Sequence, residues 1–206
     1  MITIVDYDAG NPTSVQRALA ALGAESRISP DPEHVRRAER VIFPGVGHAQ
    51  SAMAVLAQRG LDQALREAFA QGTPILGVCV GAQLSLTRSE EGDTPCLDLV
   101  PGNVRRFPPL PRELKVPHMG WNRIEPCGPG HPLLAGVPAQ NEFYFVHSYY
   151  LEPSDPECVL ATCEHGLRFA AAFARANLAA LQFHPEKSGP LGLALLDRFT
   201  RWSPRC

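Results

Sequence analysis

The chain carries almost no excess charge: 19 basic residues against 21 acidic ones leave a net −2 at pH 7. It has no basic block and no interleaving of basic with aromatic residues, which argues against a polyanion-binding surface and so against nucleic acid as a partner. Long hydrophobic runs are missing as well. No stretch approaches the roughly 20 apolar residues of a membrane span, and Met1 leads into an apolar, strand-like start with no charged leader or cleavage site. A cytoplasmic protein with no membrane partner is expected. Internal repeats and low-complexity tracts are also lacking. Aromatic residues are sparse at 7%, yet 45% of the 206 residues are hydrophobic, enough for one domain, 1–206, with a substantial core. The six cysteines (79, 96, 127, 158, 163 and 206) read as free thiols in a cytosolic chain. The Cys158-x4-Cys163 spacing has no matching His or Cys pair nearby, so no metal site is expected. Twenty prolines, dense at 101–117 and 126–138, read as rigid loops because apolar residues continue through them.

The first half alternates strand and helix patterns. Strands are expected at 2–7, 40–43 and 74–78, and helices at 12–22, 49–58, 61–69 and 80–87. Such alternation predicts a parallel sheet covered by helices. The second half is strand-rich, with strands expected at 104–107, 122–124, 142–150, 159–162, 168–175 and 178–183. An amphipathic helix at 190–202 closes the chain. The class is α/β, with a mixed, mostly parallel sheet and flanking helices.

Residues 74–83 run from a buried apolar strand into Gly77-x-Cys79-x-Gly81 and then a helix-prone stretch. This is the shape of a nucleophile elbow with cysteine as the nucleophile. Flanking glycines suit a tight, strained turn that lifts the sulfur off the sheet. The helix N-terminus beside it favours thiolate over thiol. Taken alone, the motif is shared with inert buried cysteines.

A cysteine nucleophile needs a base, and the base needs an orienter. His184 and Glu186 supply both roles. Pro185 between them keeps the segment extended, so the two side chains point to one side. They follow the apolar run 178–183, which sets them at a strand's C-terminal end, where active sites of open α/β sheets collect. A second turn, Pro44-Gly45-Val46-Gly47, also follows a strand. The backbone N–H groups of Val46 and Gly47, with that of Val80 after the nucleophile, are candidates for an oxyanion hole.

Together, Gly77–Gln83 and Phe183–Ser188 resemble the class I (triad) glutamine amidotransferases. Residues 6–15, residues 116–122 and residues 144–149, with the Pro-Gly-Val-Gly turn, resemble the branch that forms the glutaminase subunits of imidazole glycerol phosphate synthases. The resemblance runs to about residue 200 with motifs in the expected order. It implies hydrolysis of L-glutamine through a Cys79 thioester and delivery of ammonia to a (βα)8-barrel synthase subunit of a heterodimer. There imidazole glycerol phosphate and AICAR are made for histidine biosynthesis, with no cofactor. It further implies that Gly47, Gln83 and the His147–Ser148–Tyr149 segment hold the glutamine. Asn11, Trp121, Tyr144 and Lys187 would line the docking face, and the oxyanion hole would rest closed until the partner signals.

Taken without the family, Gln83 reads as a solvated helix residue, Lys187 as a surface lysine and His147 as a hydrogen-bonded core histidine. His118 is not needed as a base, and His48 has no evident chemical role. The chain departs from the family at Val80 and Ala82, where Leu and Met are usual, and at Pro12, which fits a first helical turn. Three other readings stay open: a glutaminase serving anthranilate, pyridoxal phosphate or purine synthesis, a stand-alone hydrolase of γ-glutamyl peptides, and a triad-bearing binding module.

Overall fold

A computed structural model describes residues 1–128 and 130–204. Cys206 therefore lies outside the described residues. Its strands are Ile2–Val5 (β1), Ser26–Ser29 (β2), Arg40–Gly45 (β3), Ile75–Cys79 (β4), Arg88–Ser89 (β5), Thr94–Pro95 (β6) and Gly102–Arg106 (β7). They continue with His118–Asn122 (β8), Ile124–Pro126 (β9), Phe143–His147 (β10), Tyr149–Pro153 (β11), Val159–Glu164 (β12), Arg168–Arg175 (β13) and Leu178–Leu181 (β14). The helices are Pro12–Ala21 (α1), Pro32–Arg36 (α2), Ala49–Arg59 (α3), Leu61–Ala70 (α4), Val80–Leu84 (α5) and Gly189–Arg201 (α6).

The parallel heart of the sheet runs β2-β1-β3-β4-β14. Strands β1, β3, β4 and β14 are buried on both faces, which is why they read as continuous apolar runs. From β14 the sheet turns antiparallel through β13, β11 and β7, with β12 and β9 attached beyond β13. The helices start and stop on local chemistry. Asn11 caps α1 by accepting from the Ser14 N–H, with Pro12 in the first turn. Gly60, at φ 68°, ends α3 and begins α4 in one residue.

The chain departs from the periodicity reading in several places. The predicted helix at 80–87 stops at Leu84. There the Leu97 N–H takes the Leu84 carbonyl, the Leu99 and Val100 N–H groups take that of Ser85, and the Ser85 hydroxyl donates back to Gly81. The predicted strand at 142–150 divides at Ser148: β10 leaves the sheet to pair with β8 as a separate ribbon, while β11 stays with β7 and β13. The short strand expected at 122–124 is the junction of β8 and β9 instead, where the Asn122 side chain accepts from the Arg123 N–H. Strand β2 and helix α2, too short and polar to give a clear period, carry no signal.

The elbow glycines act by close approach rather than by unusual dihedrals. Cys79 itself takes the strained conformation, φ 52° and ψ −107°. A β-carbon on Gly81 would lie 1.8 Å from the Phe43 carbonyl oxygen, and one on Gly77 would lie 3.0 Å from the Ala82 backbone. Helix α5 is pressed onto β3 and β4 because these positions have no side chain. Gly81→Ala is therefore expected to cost at least about 3 kcal/mol, the upper end for overpacking, read from the midpoint of chemical denaturation. A loss below about 1 kcal/mol, the size of a surface change, would show that the helix is not seated this way.

Candidate active site

Three parallel strands end side by side and carry the chemistry. Gly45 at the end of β3 stands opposite Cys79 at the end of β4, and Val78 opposite Leu181 of β14. The Val46–Gly47 turn therefore emerges on one flank of the nucleophile and His184 on the other. All lie at the carboxyl ends of the strands.

Cys79 is buried. Its sulfur lies 3.8 Å from Gln182 Nε2 and 3.9 Å from the Val146 carbonyl oxygen. His184 Nδ1 and Glu186 Oε1 are 2.8 Å apart, with side chains only 3% and 4% exposed. That bond places the proton on Nδ1 and leaves Nε2 as the free ring nitrogen. His184 Nε2 is buried without a hydrogen-bond partner, as is common for catalytic contacts that tighten only once substrate binds. Burial pulls the imidazole pKa down, but the Cys79 sulfur and the Glu186 carboxylate outweigh it and raise it well above the usual histidine range. The arrangement therefore sets a basic imidazole, steadied by Glu186, beside the sulfur.

A cleft of roughly 340 Å3 opens beside Cys79, walled by Val46, Gly47 and Val80 on one side and by Val146, His147, Ser148 and Tyr149 on the other. Gly47 adopts φ 109°, a conformation that only glycine takes cheaply. Gln83 lines the cleft, but it is no solvated helix residue. It is buried, and its side-chain nitrogen lies 3.1 Å from the Tyr149 carbonyl and 3.2 Å from Gln182 Oε1. His147 is buried with Nδ1 2.7 Å from the same carbonyl.

One lining residue escaped the sequence reading. Among the described residues Glu91 is the one carboxylate on the cleft wall, and its Oε2 accepts from the Ala49 N–H at 2.7 Å. An amino-acid substrate brings an ammonium group, for which this carboxylate is the natural counter-ion. It sits in the acidic run Glu90-Glu91-Gly92-Asp93 just beyond the elbow helix, whose spacing does not mark it as part of a site. Among the described residues no cluster of three or more His, Cys, Asp or Glu is placed to hold a metal ion. Cys79, Cys96, Cys127, Cys158 and Cys163 are free thiols.

The residues assigned to docking fall into two groups. Trp121 and Tyr144 face each other across the β8–β10 ribbon with ring centroids 6.1 Å apart, and the Lys187 ammonium lies 5.7 Å from the Tyr144 ring centre. Trp121 is 54% and its neighbour Met119 63% exposed. Asn11 is exposed at the start of α1, outside that cluster, on a helix whose Ser14 and Arg17 line a shallow pocket with Glu186.

Comparison with known proteins shows the family and the fold. Residues 3–201 match the model of the glutamine amidotransferase class-I family. The chain is 48% identical to imidazole glycerol phosphate synthase subunit HisH of Methylococcus capsulatus, over 98% of this chain and 97% of that one. It is 49% identical to the protein of the same name from Moorella thermoacetica, over 96% and 93%. Among solved structures it superposes on PurLQS from Thermotoga maritima with a TM-score of 0.75 at 16% identity, covering 97% of both chains. The glutaminase domain of Trypanosoma brucei CTPS with bound acivicin gives a TM-score of 0.64 at 18% identity, covering 97% of this chain and 93% of that one.

A glutamine analogue carrying a diazoketone is expected to alkylate Cys79 and spare the other thiols, as read by peptide mass spectrometry. His184→Ala should lower turnover by several orders of magnitude, and Glu186→Ala by less, because an unsupported histidine still samples useful geometry. A neutral Glu186→Ala would replace the triad with a dyad.

Proposed function

The chain belongs to the class I glutamine amidotransferases, and we propose that it is the glutaminase subunit of an imidazole glycerol phosphate synthase. Cys79 attacks the side-chain amide of L-glutamine, and His184 takes its proton and hands it to the departing ammonia. Glu186 holds the ring by Nδ1 and stabilises the imidazolium. Water, activated by His184, then hydrolyses the thioester to glutamate. The N–H groups of Val46, Gly47 and Val80 receive the developing oxyanion. Glu91 and the 147–149 backbone take the amino-acid end of the substrate. Ammonia passes to a (βα)8-barrel partner of a cytoplasmic heterodimer. The observation that carries this reading is the buried Nδ1–Oε1 contact of His184 and Glu186 at 2.8 Å, in the turn that follows β14, the strand paired with the one that ends at Cys79. The full-length identity near one half to synthase subunits supports the narrower assignment over other glutaminases. No helix among the described residues is long and apolar enough to cross a membrane.

Two physical links support gating by the partner. The Tyr144 carbonyl accepts from the His184 N–H at 2.9 Å, and the Tyr144 N–H donates to Ser188 Oγ at 3.0 Å. The docking ribbon therefore holds the turn that carries the base. On the other flank, a β-carbon on Gly10 would lie 3.2 Å from Gly45 Cα and 3.4 Å from the Val46 nitrogen. The loop that leads to Asn11 thus rests on the oxyanion turn. Pressure at the docking face reaches both flanks of the nucleophile, which couples two sites.

Losing one or two hole donors raises a barrier by about 3–6 kcal/mol. The isolated chain should therefore turn over glutamine slowly, and barrel partner plus nucleotide ligand should raise kcat at least about a hundredfold. Steady-state glutamate release from the chain alone, with partner, and with partner and ligand measures this. Equal kcat in all three would favour a stand-alone hydrolase.

A further inference from the structure

Two buried histidines outside the triad form one hydrogen-bonded series with the cleft wall. His118 Nδ1 lies 2.9 Å from His147 Nε2, and His147 Nδ1 lies 2.7 Å from the Tyr149 carbonyl oxygen. On the outer side, Asn122 Nδ2 lies 3.1 Å from His118 Nε2 and 3.0 Å from the Glu164 carbonyl.

The direction of every proton follows from the two ends. Asn122 Oδ1 must accept, because it faces the Arg123 N–H at 2.8 Å, so its nitrogen donates to His118 Nε2. His118 then carries its proton on Nδ1 and gives it to His147 Nε2. His147 in turn carries its proton on Nδ1, which the Tyr149 carbonyl requires. The two ends demand the same order, and that order leaves both rings neutral. Burial agrees, holding His118 down to about 4 and His147 to about 3. His118 is also fixed in place, with Phe145 and His165 stacked at centroid distances of 4.7 Å and 4.1 Å. Its nitrogens are both spoken for by protein groups, which argues against a metal-ligand role.

The Tyr149 carbonyl is held from its other side by Gln83 Nε2. Gln83 bonds Gln182, whose amide nitrogen faces the Cys79 sulfur. Ser148 sits between His147 and Tyr149 at the point where the chain passes from the ribbon to the main sheet. The Ser148 carbonyl accepts from the Phe107 N–H at 3.2 Å, and the histidine series adds a second anchor one residue on, at the Tyr149 carbonyl. We propose that His118 and His147 are positioning residues: their relay locks the Ser148–Tyr149 backbone against Gln83 and so sets the affinity of the cleft for the amino-acid end of its substrate. The inference deepens the glutaminase reading and rests on it.

The test compares the complex of the chain with its synthase partner in three forms. His118→Phe keeps the stack but removes the donor to His147, and should raise KM for glutamine at least tenfold while kcat stays within threefold. A merely unstable variant would lose active sites and so lower kcat with KM unchanged. His118→Asn keeps a donor at the position of Nδ1 and should return KM to within threefold of wild type. A wild-type KM in His118→Phe, or equal impairment in both variants, would overturn the relay. A wild-type complex releasing no glutamate would overturn the glutaminase reading instead. Should His118→Phe not fold, 15N-histidine NMR of the wild-type chain at neutral pH tests the same order. Both rings should carry the proton on Nδ1, and an Nε2–H form of either would overturn the proposal.

Discussion

Everything at the site depends on the contact between the α5 backbone at Gly81 and the carbonyl of Phe43. It brings the helix so close to β3 that the chain can leave β4 only through a left-handed residue, and that residue is Cys79. The strain, of order 1–3 kcal/mol for such a backbone, is held in place by packing around the buried β3–β4 pair. The same contact sets the Val80 amide next to the sulfur and puts Gly45, with the turn after it, directly across the ladder. Nucleophile and prospective oxyanion donors are thus placed by one packing constraint rather than by separate devices.

A second constraint joins the site to the outside. The β8–β10 ribbon alternates strictly: Met119, Trp121, Tyr144 and Val146 lie on one face, while His118, Phe143, Phe145 and His147 lie on the other and are buried. An exposed Met and Trp on a two-stranded ribbon would be a liability in a lone monomer and are natural anchors for a partner. The buried face ends in the His118–His147 pair, and the Tyr144 backbone bonds the His184 turn. A short ribbon has little stability of its own, so it moves or holds as a unit with whatever covers it.

How much of this was legible in the residues follows from the range of each interaction. The parallel core announced itself through fully buried runs such as Ile2–Val5 and Ile75–Cys79. The pairing of His184 with Glu186 was legible from their closeness in sequence, but the extended geometry expected of Pro185 was not found. Residues 185–187 form a 3-10 turn closed by the Lys187 N–H on the His184 carbonyl, and that turn brings the two side chains together. Glu91 was missed because its place in the cleft comes from a long-range bond to the Ala49 N–H, which no local spacing encodes. The burial of Gln83 was hidden for the same reason: Tyr149 and Gln182 are distant in sequence. The break at Ser148 has an apolar-polar alternation on both sides, so period alone reads through it. Only the different partners of β10 and β11 reveal it.

The distribution of unsatisfied polar atoms says where the fold gave up stability. Among the described residues, the buried side-chain nitrogen and oxygen atoms without a hydrogen-bond partner are Tyr7 Oη, His184 Nε2 and Glu186 Oε2. Each such orphan costs about 1–3 kcal/mol, and a chain of 206 residues could have placed them anywhere. Two belong to the His184–Glu186 pair, and the third is packed against Gly45, which stands opposite Cys79 on the ladder. A β-carbon on Gly45 would come 2.1 Å from that oxygen, and the acidity of Tyr7 is suppressed by burial and by the Cys79 sulfur. A fold that satisfies its buried polar groups elsewhere but leaves these facing inward is arranged around charge that exists only transiently, when the sulfur has lost its proton and the imidazole has gained one.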